Sequence, residues 1–268
     1  MEQTAINLPQ IYTEEIWARS KNPHNKQFIG KPYVSWSQIE TFNDKEGFNT
    51  GLKGEFEYMR KYFSKEKYPD MGWGQFGSEA EAYITVRDTD PKKLDDFDRE
   101  CVEAAKRNFS AEEKATLEKI EPLGVFQDEI CYYIEELDVI VLGYIDDRNR
   151  PRNGKVKLLR DYKTKSKNSK KDLHLPKKHQ IEIYVLGLKQ RGLEVQNTEY
   201  CIVERLGGGE CMRGGGRDVL KVGNEIWYEP YEIKEGRLEE THNMLVESIQ
   251  RISRLYTSYQ KFFGNVAA

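Results

Sequence analysis

The stretch Leu158–Lys171 reads LLRDYKTKSKNSKK, and its reading decides how the middle of the chain is built. Leucines open it as they would a buried strand, and it leaves in a polar run no core could hold. Five lysines and one arginine surround a single acid, Asp161. On a β-strand, residues two apart project from the same side. Asp161 and Lys163 therefore share a face, with Leu159 behind them. One strand earlier, GYIDD at 143–147 ends in acids, and a turn over Pro151–Gly154 can fold the two strands together. Asp146 and Asp161 then converge. Two such carboxylates repel unless one takes up a proton. A hard divalent cation removes the conflict, since Mg²⁺ accepts one or two carboxylates and keeps several waters. Lys163 beside it can stabilise charge on a phosphoryl oxygen, as a metal-dependent phosphodiesterase centre requires. Taken alone, D-x-K is commonly a surface ion pair and Asp146 a turn acid, so the neighbouring segments must decide.

Outward from this point the hydrophobic period changes twice. GVFQDEICYYIEE, DVIVLGYIDD and KVKLLRDYKTK are short, rich in Val, Ile, Leu and Tyr, and separated by turn residues. They predict three consecutive strands in an antiparallel meander. After Pro176, Ile181, Tyr184, Val185 and Leu188 lie on one face of a helix that Gly192 stops. TEYCIVERL predicts a fourth strand, and EIWYEPYEI another. The N-terminal third reads as helices. Ser35 with Gln38 and Ser110 with Glu113 form capping boxes, and Leu52, Phe56, Met59 and Phe63 recur at helical spacing. FGSEAEAYITVRD predicts a further helix, and an amphipathic one is expected from about Lys234 to Phe263. Between Gly207 and Lys221, GGGECMRGGGRDVLK predicts a flexible hairpin, because glycine is costly to order.

With 268 residues, 38% hydrophobic and 12% aromatic, the chain can bury a sizeable core in one large domain. No apolar run approaches the roughly 18 residues of a membrane span, and no basic-then-apolar leader opens the chain. A soluble cytoplasmic protein without a membrane partner is expected. Cysteines at 101, 131, 201 and 211 lack zinc spacing and predict reduced, partly buried thiols. The net charge of −3 hides an asymmetry: Arg148–Lys178 holds thirteen basic against two acidic residues, whereas Asp88–Asp147 holds seven basic against eighteen acidic. The basic block is either a solvated face or the footprint of a polyanion, where each neutralised phosphate releases counterions.

The ordered motifs GYID, RDYKT and HQIEIY resemble the RecB-like branch of the PD-(D/E)XK nuclease superfamily, which includes CRISPR-associated and phage exonucleases. VSWSQIETF is similar to that family's serine-rich helix start, and FGSEAEAY to its first nuclease motif. The likeness runs from about Val34 to Leu206. It implies an α/β, restriction-endonuclease-like αβββαβ core, a mixed sheet flanked by helices, with an N-terminal helical annex and a long C-terminal helix. It also implies Asp146, Asp161 and the main-chain carbonyl of Tyr162 as ligands of Mg²⁺ or Mn²⁺, with Lys163 catalytic. Gln180 and Tyr184 would position substrate beside the site, with Ser37 a further substrate contact. At the usual histidine position, four residues after Gly77, stands Glu81, a hard oxygen ligand; Glu79 competes if the helix phase differs. Some members carry an iron–sulfur cluster on C-terminal cysteines, but the last cysteine here is Cys211, so no cluster is expected.

The expected organisation is a single domain, 1–268, comprising a helical annex over 1–73, a nuclease core over 74–206, a hairpin over 207–233 and a C-terminal helix over 234–268. The expected activity is a Mg²⁺/Mn²⁺-dependent deoxyribonuclease, an exonuclease without strong sequence preference. Arg148, Lys165 and Lys167 would then follow the DNA backbone. A phage-encoded enzyme of DNA recombination, repair or degradation fits this reading, acting in a bacterial or phage-infected cell with recombination or replication partners. The alternatives are a structure-selective endonuclease and a DNA-binding subunit that keeps the fold without cutting.

Overall fold

A computed structural model of the protein describes residues 6–9, 23–44, 54–65, 72–166, 179–207 and 220–263. The first half carries β1 (Tyr33–Ser35), α1 (Trp36–Asn43), α2 (Gly54–Tyr58), α3 (Trp73–Val86), α4 (Asp96–Asn108) and α5 (Ala111–Leu117). Strands β2 (Gly124–Ile134), β3 (Val139–Asn149), β4 (Lys155–Val156) and β5 (Leu159–Lys165) follow. The remainder is α6 (Gln180–Gln190), β6 (Glu194–Val195), β7 (Thr198–Leu206), β8 (Lys221–Pro230) and α7 (Arg237–Phe263).

The fold is mixed α/β. A mixed sheet runs β1-β3-β5-β7-β8, with β2 added on β3. β2 lies antiparallel along almost the whole of β3, from Ile134↔Val139 to Gly124↔Asn149. The other edge of β3 is shared by two strands. β1 takes Ile140–Leu142 in parallel, and β5 takes Asp147 and Arg148 antiparallel, opposite Arg160 and Leu159. Between Leu142 and Asp147 neither strand pairs with it. β5 then runs parallel to β7 over seven residue pairs, from Leu159↔Thr198 to Lys165↔Glu204.

Alternation along the strands sends one set of side chains to each face. On one side Tyr162, Cys201 and Val203 pack against Phe76, Ala80, Tyr83 and Ile84 of α3. On the other, Leu159, Tyr200 and Ile202 meet Ile181, Tyr184 and Leu188 of α6, the helical face read from the sequence. α7 covers the N-terminal region: Leu245, Ile249 and Ile252 share a core with Ile39, Phe42, Val139 and Val141. Both predicted capping boxes form, at Ser35–Gln38 and Ser110–Glu113.

Five expectations change. β1 lies in a region read as helical, because three residues are too few to show a period of two. The run KVKLLRDYKTK splits at Lys157 and Leu158, after a turn in which Asn153 and Gly154 both take positive φ. β4 consequently leaves the main sheet to pair with β6. The helix through GEFEYMRKYF does not hold one phase: Met59–Phe63 is a π-turn, closed by Ser64 N–H on the Met59 carbonyl at 3.0 Å. A π-turn holds more residues than an α-turn, so Tyr58 and Phe63 are buried and Phe56 is exposed. β8 begins at Lys221, earlier than expected, and α7 at Arg237, later than expected. Leu52 and the glycine-rich segment 208–219 lie outside the described residues, as does Cys211. Cys131 and Cys201 are buried free thiols and Cys101 is partly buried. No helix among the described residues is long and apolar enough to cross a membrane.

α6 reaches the sheet closely because Gly187 lacks a side chain. A Cβ there would lie 2.7 Å from Ile130 Cγ1, inside the van der Waals distance, and Ile130 is fully buried. Gly187→Ala gains helix propensity of about 1 kcal/mol, and loses about 1–3 kcal/mol to overpacking. The second effect is expected to prevail, lowering the melting temperature in thermal denaturation. A higher melting temperature would show that α6 can move away from β2 without loss.

Candidate active site

β3 and β5 part after two residue pairs, and the carboxylate of Asp146 enters where the ladder would continue. Its Oδ2 accepts the Tyr162 backbone N–H at 2.7 Å, a side chain standing in for a strand carbonyl. Asp161 is fully buried beside it, and neither of its carboxylate oxygens receives a hydrogen bond. Lys163 forms an ion pair with Asp161 Oδ2, without the alignment of a hydrogen bond. The Lys163 ammonium donates to Gln180 Oε1 at 3.2 Å, and Gln180 Nε2 donates to the Tyr184 hydroxyl at 2.6 Å. The spacing Q-x-x-x-Y thus puts both residues one turn apart on the face of α6 that meets Lys163. Gly143 makes room for them: a Cβ there would stand 3.1 Å from Tyr184 Cε1.

Glu81 approaches from α3, on the opposite side of the sheet from α6. Gln127 Nε2 donates to its Oε1. Gln127 itself has φ 47°, left-handed for a residue with a side chain, and skips its pairing with β3 opposite Asp146 while the register on either side is unchanged. That local twist aims the amide at Glu81, and nothing in the sequence announced it. Glu79 is engaged elsewhere: buried, it accepts from Gln75 at 2.8 Å and from Asn108 of α4 at 3.2 Å. The helix phase therefore brings Glu81 to the centre. Asp147 is likewise structural, accepting the Leu123 N–H at 2.7 Å and the Tyr162 hydroxyl at 2.9 Å.

Electrostatics bind the group together. Burial pushes the Glu81 carboxyl up to about 7, with Asp161 adding to the rise and the Gln127 amide opposing it. Burial also raises Asp146 well above the ordinary aspartate value, followed by the charges of Glu81 and Asp161. For Lys163 burial disfavours the charge, but Asp161 and Asp146 outweigh it and hold the ammonium above its usual range, with a contribution from Glu40 of α1. Glu40 was not singled out from sequence; it lies one turn after Ser37 on the exposed side of α1.

The other expected residues are distributed as follows. Ser37 is exposed, its hydroxyl 3.0 Å from that of Ser35. Arg148 is buried and paired with Asp128 at 2.8 Å, which removes it from the substrate-facing role expected of it. Lys165 lines a cleft of about 300 Å³ with Glu81, Tyr162, Lys163 and Arg205. Lys167 lies outside the described residues. The acids converge without closing into a cage: among the described residues no three His, Cys, Asp or Glu side chains stand together at ligand spacing.

The chain matches no family model and no curated protein. Among solved structures it is similar to a candidate exonuclease from Eubacterium rectale, at 15% identity and a TM-score of 0.52. That likeness covers 93% of this chain and 88% of the other. At this identity what is shared is the fold.

A raised carboxyl has a thermodynamic consequence. Where the native state binds more protons than the unfolded chain, stability falls as pH rises. In chelator, wild type is expected to lose melting temperature relative to Glu81→Gln as pH rises from about 4.5 to about 7. Parallel profiles for the two proteins across that window would show that Glu81 ionises freely.

Proposed function

We propose that the chain is a divalent-metal-dependent nuclease that hydrolyses phosphodiester bonds of DNA, working from strand ends without strong sequence preference. The observation that carries this reading is the convergence of three carboxylates, the fully buried Asp161 with Asp146 and Glu81, on the single cation Lys163. Lys163 pairs with Asp161, but three acids with one lysine leave negative charge in excess, which is costly where it is buried. A cation fits that excess, and an all-oxygen donor set suits Mg²⁺ or Mn²⁺.

Glu81, Asp146, Asp161 and the Tyr162 carbonyl would hold the ion. When bound, it would neutralise the acids and polarise the phosphoryl group under attack. The protein's own groups have separable tasks. Lys163, whose ammonium Asp161 and Asp146 favour, stabilises negative charge developing on a phosphoryl oxygen. Gln180 holds the ammonium in place. Tyr184, 2% exposed, acts through Gln180 rather than on substrate. Ser37, Lys165 and Lys167 are left to contact the nucleic acid, and the basic block supplies affinity that is indifferent to sequence. The fold shared with a candidate exonuclease supports the same reading.

Incubation with linear and closed circular DNA in Mg²⁺ separates the possibilities. Loss of the linear form alone is expected; attack on both forms marks an endonuclease, and retarded but intact DNA a binding subunit. Lys163→Ala should reduce cleavage by about a hundredfold or more, the scale of a lost electrostatic catalyst, with DNA binding retained. Asp161→Asn should abolish cleavage and weaken Mn²⁺ binding in isothermal titration. Unchanged Mn²⁺ affinity there would refute a shared metal site.

A further inference from the structure

Gly143 and Asp146 account for two positions of the GYID run, but Tyr144 between them breaks the pattern of its strand. From Val139 to Arg148 every residue of β3 is buried except Tyr144, which keeps 42% of its surface exposed. Its neighbours Gly143 and Ile145 both turn toward α6 and meet Tyr184. Tyr144 therefore projects from the opposite face, the one from which Glu81 approaches. On that face Phe28 and Tyr33 cover Ile140 and Leu142, and α3 covers Tyr162 and Val203. The two covers stop short of each other, and Tyr144 stands between them.

The position is continuous with the acid centre. It lies in the stretch of β3 between Leu142 and Asp147 that neither β1 nor β5 pairs with, so that edge has no strand beside the ring. Asp146 follows two residues later, about 7 Å along the strand. β1 ends at Ser35 opposite Leu142 and α1 starts at Trp36, which carries the exposed Ser37 past the same gap. On the other edge Glu129 is the cross-strand partner of Tyr144, and its carboxylate accepts from the Asn25 amide at 2.6 Å. A lysine or arginine placed here would be drawn to the three acids rather than to a phosphate. A neutral ring escapes that competition, and every nucleobase presents a face that stacks on it.

We propose that Tyr144 is a stacking platform for one nucleobase of the strand being cut, holding the base while the neighbouring acids and Lys163 face its backbone. This assignment rests on the nuclease reading and adds to it how the substrate strand is held. Stacking uses the π-face and not the edge of the base, so it agrees with cleavage that is indifferent to sequence.

Binding of fluorescent single-stranded oligonucleotides is measured in chelator over a range of salt, with melting temperatures checked. Tyr144→Ala is expected to bind about tenfold more weakly, within the range of one lost base–aromatic stack, and Tyr144→Phe to stay within about twofold of wild type. The log–log salt slope should not change, because no phosphate contact is lost. Oligonucleotides carrying one abasic position at successive places locate the base. Wild type should lose about tenfold at one place, and Tyr144→Ala nothing further there. Tyr144→Leu keeps apolar bulk without a ring, and it decides the matter if the alanine variant folds poorly. It should weaken binding as alanine does; affinity equal to wild type would mean that no stacking occurs. If wild type cleaves DNA and Tyr144→Ala matches its affinity and KM, or stays sensitive at the same abasic place, the role of Tyr144 falls while the nuclease reading stands. If wild type neither binds nor cuts, both fall.

Discussion

Everything at the centre of this protein depends on one edge of β3 that changes partners. β1 ends its pairing at Leu142 and β5 begins at Asp147, so the intervening backbone has no strand beside it. In most sheets such a gap would leave buried amides unsatisfied. Here the Asp146 carboxylate takes the Tyr162 N–H, and the opening becomes a place where side chains from both faces of the sheet can meet. Glu81 arrives from the α3 face and Gln180 from the α6 face. A continuous ladder would have kept them on opposite sides of the sheet.

The surrounding residues sort by whether they build this opening or use it. Gly143, Gln127, Asp147 and Tyr184 build it: one removes a side chain, one breaks a strand pairing, one clamps β5 and one anchors Gln180. Asp146, Asp161, Glu81 and Lys163 are what the construction delivers. Arg148 belongs with the builders, because its buried pairing with Asp128, shared with Arg191 at 3.0 Å, ties β3 to β2 and α6.

Much of this was legible in the sequence, and the physical reason differs from case to case. The strands and α6 were readable because both have long apolar periods, and the face of α6 followed from Ile181, Tyr184 and Leu188. Asp161 and Lys163 share a face by strand geometry alone. β1 was too short to show a period, and the π-turn after Tyr58 is a change of phase that spacing rules assume away. The left-handed turn of the chain at Gln127 is a matter of backbone torsion, which glutamine does not advertise. Arg205 and Glu40 enter the site's surroundings only through tertiary packing; as sequence they are single charges among many. The burial of Arg148 escaped notice because a basic block reads as one surface, although its members alternate between faces.

Tyr162 gives the site a mechanical property beyond its chemistry. Its backbone N–H is fastened to Asp146 and its hydroxyl to Asp147, so two consecutive residues of β3 grip one residue of β5 at both ends, like a two-pin plug. A rotation of either aspartate is resisted by the other, and side-chain adjustment alone cannot widen the opening. β5 can shift only as a rigid bar, dragging β7 through its seven-pair ladder. The Asp146–Asp161 spacing is therefore set by the stiffness of the sheet, whereas Glu81, held through one flexible amide, is the adjustable jaw of the vise.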